Sequence, residues 1–201
     1  MIAIQPANLA RRDELDAIFG ARGEAYKCQC QRYKLASGES FGAVPVAERA
    51  ERLSLQTRCG QTRERDTSGL VAWLDGEPAG WCAVEPRTAY AGLLRVYRVP
   101  WMDREEDRSD HGVWAITCFH IRAGYRRRGI SRALVRAAID FARDRGAHAI
   151  EGYPMITEPG RDIPWGELHV GSHSIFAAAG FIQVSRPTPR RAVMRIDLRG
   201  A

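Results

Sequence analysis

The segment TCFHIRAGYRRRGISRALVRAAIDFARDRGA, Thr117–Ala147, changes its hydrophobic period at its centre. On its N-terminal side the run GVWAITCFHI lacks the alternation of a half-exposed strand and reads as a strand buried on both faces. After Gly129 the apolar residues Ile130, Ala133, Leu134, Ala137, Ala138 and Phe141 recur at steps of three and four, the stripe of an amphipathic helix. Gly146 stops that helix, and Arg143 and Arg145 place cations in its last turn, where they suit the dipole. The three arginines Arg126, Arg127 and Arg128 therefore fall in a strand-to-helix turn. Such a turn aims unpaired backbone N–H groups and the positive end of the helix dipole at one spot. Gly129 removes the side chain that would keep a ligand away from the backbone, Ser131 is small, and the arginines offer charge-assisted bonds. The turn is predicted to hold a pyrophosphate; the plainer alternative is a solvated basic face and an ordinary glycine turn. A Walker loop would need Lys-Ser/Thr after its second glycine, and a dinucleotide fingerprint would need three glycines, so neither motif fits.

Around this unit the other elements follow in order. MIAIQPA reads as an edge strand, and NLARRDELDAIFGARG as a helix with Asn8 as cap and Gly20 as stop. VPVAERAERLSLQTRC is a second helix. GLVAWLDGEPAGWCAV is a hairpin turning at Asp75-Gly76. AHAIEGY is a strand, HSIFAAAGF a short helix closed by Gly180, and FIQVSR and RAVMRIDL two final strands. The result is a mixed α/β arrangement around one sheet.

The chain's 201 residues suit a single domain over 1–201. Its net charge of +6, from 30 basic and 24 acidic residues, is scattered arginine rather than a basic tail. Without a recognition motif it does not call for nucleic acid. No apolar stretch approaches the roughly 18 residues of a membrane span, and no signal-like run follows Met1, so a soluble, cytoplasmic protein is expected. The five cysteines are irregularly spaced, and Cys28-Gln29-Cys30, with no histidine near, lacks the four ligands of a zinc site. Reduced thiols and no metal are expected.

The motif Arg126-Arg127-Arg128-Gly129-Ile130-Ser131 resembles the pyrophosphate signature Arg/Gln-x-x-Gly-x-Gly/Ala of the GCN5-related N-acetyltransferases, with Ser in the last place. The resemblance continues through GWCAVEPR, CFHIRAGYRRRG, IEGYP and FAAAGF, about the last two-thirds of the chain, and is similar to actinobacterial-type members. It implies a mostly antiparallel sheet with one parallel pair splayed around acetyl-CoA, and a CoA-binding core at about 113–153. It further implies that Phe119, His120 and Ile121 bond the pantetheine arm through their backbones. Residues Arg126, Arg127, Arg128, Gly129, Ile130, Ser131 and Arg132 would hold the pyrophosphate, and an N–H near Phe119 would face the acetyl oxygen, where an oxyanion develops.

The implied reaction moves the acetyl group directly to an amine of a small molecule or peptide, with no nucleic acid or membrane partner; a homodimer stays open. A protonated amine must lose its proton to attack. The family's glutamate on the central strand is replaced by Ala115, so Glu151 is the first candidate base, followed by Glu85 and His120. The family's tyrosine in the last helix is Phe176, which leaves Tyr153 as substitute acid, or no acid at all. Glu151, Glu85 and His120 each also have a purely structural reading, as an ion-pair partner, a strand end and a core histidine respectively. The long connections 86–112 and 154–171 carry Asp103, Glu105, Glu106, Asp107, Asp110, Glu158, Asp162 and Glu167, acids that would favour a cationic acceptor unless they are solvated. Trp101 and Trp165 would wall its pocket. Two alternatives remain: a CoA-binding regulatory or inactive member, and a nucleic-acid binder.

Overall fold

The computed structural model describes residues 1–157, 160 and 163–198; Glu158, Asp162 and the side chain of Trp165 lie outside what is described. Seven strands form one sheet: β1 (Ile2–Pro6), β2 (Leu70–Leu74), β3 (Glu77–Pro86), β4 (Val113–Ile121), β5 (Ala149–Gly152), β6 (Ile182–Thr188) and β7 (Arg191–Asp197). Their spatial order is β1-β2-β3-β4-β5-β7-β6, and every pair is antiparallel except β4–β5. The expected mixed sheet with one parallel pair is what forms. At the β2–β3 hairpin, Asp75 and Gly76 both take positive φ (53° and 86°), the pair of left-handed residues that a tight two-residue turn needs.

The helices are α1 (Arg12–Phe19), α2 (Gly23–Cys28), α3 (Val46–Thr57), α4 (Ala91–Arg95), α5 (Ile130–Arg143), α6 (Trp165–Leu168) and α7 (His173–Ala177). The short α2, α4 and α6 were not legible as helices because none presents two full apolar turns. Asn8 does not cap α1. It is buried in a 3-10 turn and donates to the carbonyls of Gln61 and Glu64, while Arg11 occupies the cap position and Glu14 accepts its backbone N–H.

α5 covers one face of the sheet with α7. Its stripe of Ile130, Leu134, Val135, Ala138 and Phe141 packs on Leu70, Cys82, Val84, Ile116 and Ile150. α1 and α2 cover the other face over Val71, Trp81, Ala83 and Cys118. β4 lies at the centre, buried over eight of its nine residues.

Two local features open β4 away from β5. Ala83 and Val84 of β3 face Cys118 and Ile116, so Thr117 is an extra residue that bends β4 as a β-bulge. The parallel register runs only from Val113–Ala149 to Ile116–Gly152. Beyond it the strands part, and the second half of β4 offers its backbone to the gap.

Candidate functional site

The gap leads to the turn before α5. Arg127 (φ 61°) and Gly129 (φ 80°) both adopt left-handed backbone, and Gly129 caps α5. A Cβ built at Gly129 would meet nothing within 4 Å, so the site beside it is open. Backbone N–H groups of residues 127–132 have no backbone acceptor among the described residues, as the first turn of a helix dictates. A hollow of about 360 Å³ lined by Tyr125, Arg127, Gly129, Ser131 and Arg132 lies against these groups. A second hollow of about 220 Å³, sharing Ile121, Arg127, Ser131 and Ile175 with the first, continues along β4 to Phe119 and Gly171. Arg126, Arg127 and Arg128 form no ion pair among the described residues; Arg126 reaches back to the Ile121 carbonyl at 3.4 Å, and Arg128 leans on the Tyr125 ring. The geometry suits an elongated ligand with a dianionic group at the turn.

At the inner end of this groove the Phe119 N–H donates to the carbonyl of His169 at 2.6 Å. His169 follows α6, so the α6–α7 connection reaches across the gap. Phe176 on α7 fills the space over Gly152, where a Cβ would collide with its ring, and contacts Phe119 and Phe181 at centroid distances of 5.9 and 5.0 Å. Phe176 is thus fully buried between Gly152, Gly171 and these two rings.

Glu85, Ala115 and Glu151 are neighbours in one row across β3, β4 and β5. Carboxylates thus flank Ala115 on both sides. Glu151 is completely buried. Its Oε1 accepts from Arg104 (2.5 Å) and Arg195 (3.1 Å), and its Oε2 from Arg87 (3.3 Å) and the Tyr153 hydroxyl (3.0 Å). Burial pushes its carboxyl up, but the hydrogen bond and charge of Arg104, with the charges of Arg87 and Arg195, outweigh burial and hold it below the usual carboxylate range. Burial and the neighbouring Glu151 push the Tyr153 phenol well above its ordinary value. Arg87 also holds Glu106 and the Asp107 carbonyl, and Arg104 holds Glu106 and the Pro100 carbonyl, so this cluster pins the connection 98–110 to the sheet.

Among the described residues Glu85 pairs with one cation, Lys34, whose ammonium also donates to Ser68 Oγ at 3.0 Å. His120 points away from the groove, stacked on Phe19 at 5.8 Å, and burial lowers it to about 4. Trp101 lies between Arg87 and Arg108, 4.8 and 4.7 Å from their guanidinium carbons. Sequence reasoning missed Tyr33, Tyr97 and Arg191. The Tyr33 ring lies 4.5 Å from Tyr97 and 6.1 Å from His169, and Arg191 donates to the Tyr153 carbonyl at 2.8 Å. They lie in loops or at a strand start, where no period marks them.

The sheet with one parallel pair, its bulge and its arginine-glycine turn define a class of protein, and the sequence agrees. Residues 31–153 match the Acetyltransferase (GNAT) family, to which the chain belongs. An N-acetyltransferase from Staphylococcus aureus Mu50 shares its fold at a TM-score of 0.56 and 12% identity over 99% of both chains. So does yncA, a putative acetyltransferase from Salmonella typhimurium with its cofactor acetyl-CoA, at 0.51 and 15% over 98% of this chain and 94% of that one. PaiA N-acetyltransferase from Thermoplasma acidophilum, in complex with coenzyme A, matches at 0.51 and 13% over 98% and 99%. No protein of curated function matches the sequence.

Proposed function

We propose that the chain, acting as one domain over 1–201, transfers the acetyl group of acetyl-CoA to an amine by direct attack. The observation that carries this reading is the open Arg126–Arg132 turn at the mouth of the splayed β4–β5 pair, with its backbone N–H groups unsatisfied. The Salmonella and Thermoplasma structures of the same fold hold acetyl-CoA and CoA, and the groove fits that ligand. Backbone N–H groups of Arg127, Arg128, Gly129, Ile130, Ser131 and Arg132 hold the pyrophosphate, with Arg126 beside them. Ile121 bonds the pantetheine arm through its backbone. The Phe119 N–H stabilises the oxyanion, a task suited to a fixed donor in a water-poor gap. It does so after the His169 carbonyl has moved off it. His120 contributes its backbone only, since its ring lies under α1.

The proton roles follow from the pairing of each group. Glu151, with four donors on its two oxygens, anchors the 98–110 connection instead of taking the amine proton. Tyr153, whose hydroxyl is spent on Glu151, does not protonate the thiolate. A thiol pKa near 8.5 lets thiolate leave unaided at neutral pH. Glu85, tied to one ammonium, is the remaining carboxylate beside Ala115 and accepts the proton through water. Glu85→Gln should then lower kcat by about 10²–10⁴-fold at neutral pH, less as pH approaches the amine's pKa. Unchanged turnover would remove Glu85 from the mechanism.

Acetyl-CoA at 100 times its dissociation constant should stabilise the fold by about 2.7 kcal/mol, read as a rise in melting temperature. CoA release with a panel of amines then tests turnover. No thermal shift would sink the reading. A shift without turnover would favour a CoA-binding regulatory member, for which the capped Phe119 N–H, Ala115 and Phe176 are the motivating observations.

A further inference from the structure

Arginine is also buried where no acid among the described residues meets it. Arg49, on α3, is only 6% exposed, and its Nε and Nη1 have no hydrogen-bond partner among the described residues. Its guanidinium carbon lies 4.2 Å from the centre of the Phe41 ring, and that of Arg32 approaches the same ring at 5.1 Å. Neither arginine forms an ion pair among the described residues. Two nearby carboxylates, Glu39 and Glu48, are both taken by Arg52 Nη2, at 2.6 and 2.5 Å. A guanidinium withdrawn from water without a counter-ion is unfavourable, and a cation–π contact offsets only part of that. Arg32, only half-buried, brings a second positive charge to the same ring, and the two repel each other. An oxyanion bridging them would relieve both terms.

Arg32 links this pair to the inner end of the groove. Arg32 precedes Tyr33, whose ring packs on His169, the residue whose carbonyl caps the Phe119 N–H. Tyr97, against Tyr33, also lines a hollow of about 230 Å³ with Arg95, Arg98, Trp101 and Arg108. Of the acids expected here, Glu106 is held by Arg87 and Arg104, Asp107 accepts from Ser109, and Asp110 meets His148 and the Gly112 N–H. Arg95, Arg98 and Arg108 bring three positive charges to the rim of that hollow.

Resting on the acetyltransferase reading, we propose that the amine acceptor also carries an oxyanion, a carboxylate or a phosphate, which Arg32 and Arg49 bind while the amine reaches the Phe119 N–H. The acceptor is then elongated, with its acid beyond Tyr33 and its amine in the groove. Arg95, Arg98 and Arg108 strengthen the field that draws it in.

The test compares ω-amino carboxylates of increasing length, their carboxamides and the matching aminoalkyl phosphates as acceptors, with CoA release as the readout. At the preferred length, one of the two acid series should exceed the neutral amides in kcat/KM by at least about tenfold. Whichever series wins identifies the oxyanion. In Arg49→Met and in Arg32→Gln that preference should fall to about one through a raised KM for the acid, with the KM for acetyl-CoA as control. Arg49→Met should at the same time raise the melting temperature, because an apolar chain replaces an unpaired buried charge; a purely structural arginine would give the opposite shift. If Arg49→Met does not fold, the half-buried Arg32→Gln decides alone. Amides as good as acids in the unaltered protein, or a preference that survives Arg32→Gln, would overturn the proposal. Turnover indifferent to acceptor charge removes only this inference, whereas failure of acetyl-CoA to bind at all removes the acetyltransferase reading and this proposal with it.

Discussion

Arg126, Arg127 and Arg128 sit in solvent around an open backbone turn with no acid on them, while Arg87, Arg104 and Arg195 are buried or half-buried around one carboxylate, Glu151. The same side chain does opposite work in the two places. At the turn, guanidinium groups remain hydrated and available to an incoming anion, so their energy appears only when a ligand binds. Around Glu151 they are withdrawn from water, and desolvation would be prohibitive without the carboxylate and the carbonyls of Pro100 and Asp107. On the proposed reading, a carboxylate beside the groove is an anchor and not a base when several donors already hold it.

The largest effect is expected at Glu151. Glu151→Gln leaves three guanidinium groups facing a neutral amide in the interior, and removing one partner of such a buried set costs about 3–5 kcal/mol. Urea unfolding should show a loss of that size, together with loosening of 98–110 in hydrogen exchange. A variant as stable as the parent, but slow in turnover, would return Glu151 to the role of base.

At the turn the expected effect is a little smaller and of another kind. Gly129→Glu puts a side chain and a negative charge in the proposed pyrophosphate site, so the thermal shift of about 2.7 kcal/mol at saturating acetyl-CoA should vanish. The apo protein should lose only about 1 kcal/mol, since the left-handed φ of 80° suits glycine but the Cβ meets nothing. An undiminished shift would put the phosphates elsewhere.

Acid separates the two regions more gently. Burial holds His120 and His169 at about 4, below the ordinary 6.5, His120 also feeling Arg126 and His169 feeling Arg32 and Arg191. Between those values the unfolded chain binds protons that the folded one refuses, so stability is complete above 6.5 and is lost as pH falls towards 4. By a pH of about 5.5 the loss should be roughly 1 kcal/mol per histidine. The lowered Glu151 carboxyl contributes stability above 4.5 that is lost only on further acidification through its folded value. A melting temperature flat down to pH of about 5 would mean that both histidines are hydrated. The smallest effect belongs to an exposed pair on α5: Asp140→Ala, which frees Arg143, should change stability by no more than about 0.5 kcal/mol.

Much of the fold was legible because it depends on period. The switch at Gly129, the Asp75-Gly76 turn and the stripe of α5 are local patterns that sterics and burial translate directly into a strand, a hairpin and a helix. Asn8 shows the limit. It has the right chemistry for a cap, but the backbone carbonyls of Gln61 and Glu64, more than fifty residues away, offered its amide better partners. The short α2, α4 and α6 were missed because each is held by tertiary contacts and not by a stripe of its own.

The sequence alone marked the turn that we propose as a phosphate cradle, because a glycine at a left-handed cap and free N–H groups at a helix start are properties of a few adjacent residues. It also marked the two departures at Ala115 and Phe176. Only the tertiary structure decided what stands around them. It set Glu85 and Glu151 on either side of Ala115, gave Glu151 three arginines from distant segments, and placed the His169 carbonyl on the Phe119 N–H. The physical reason is that an ion's role depends on its desolvation and its partners, and both are fixed by residues that the chain brings together only on folding.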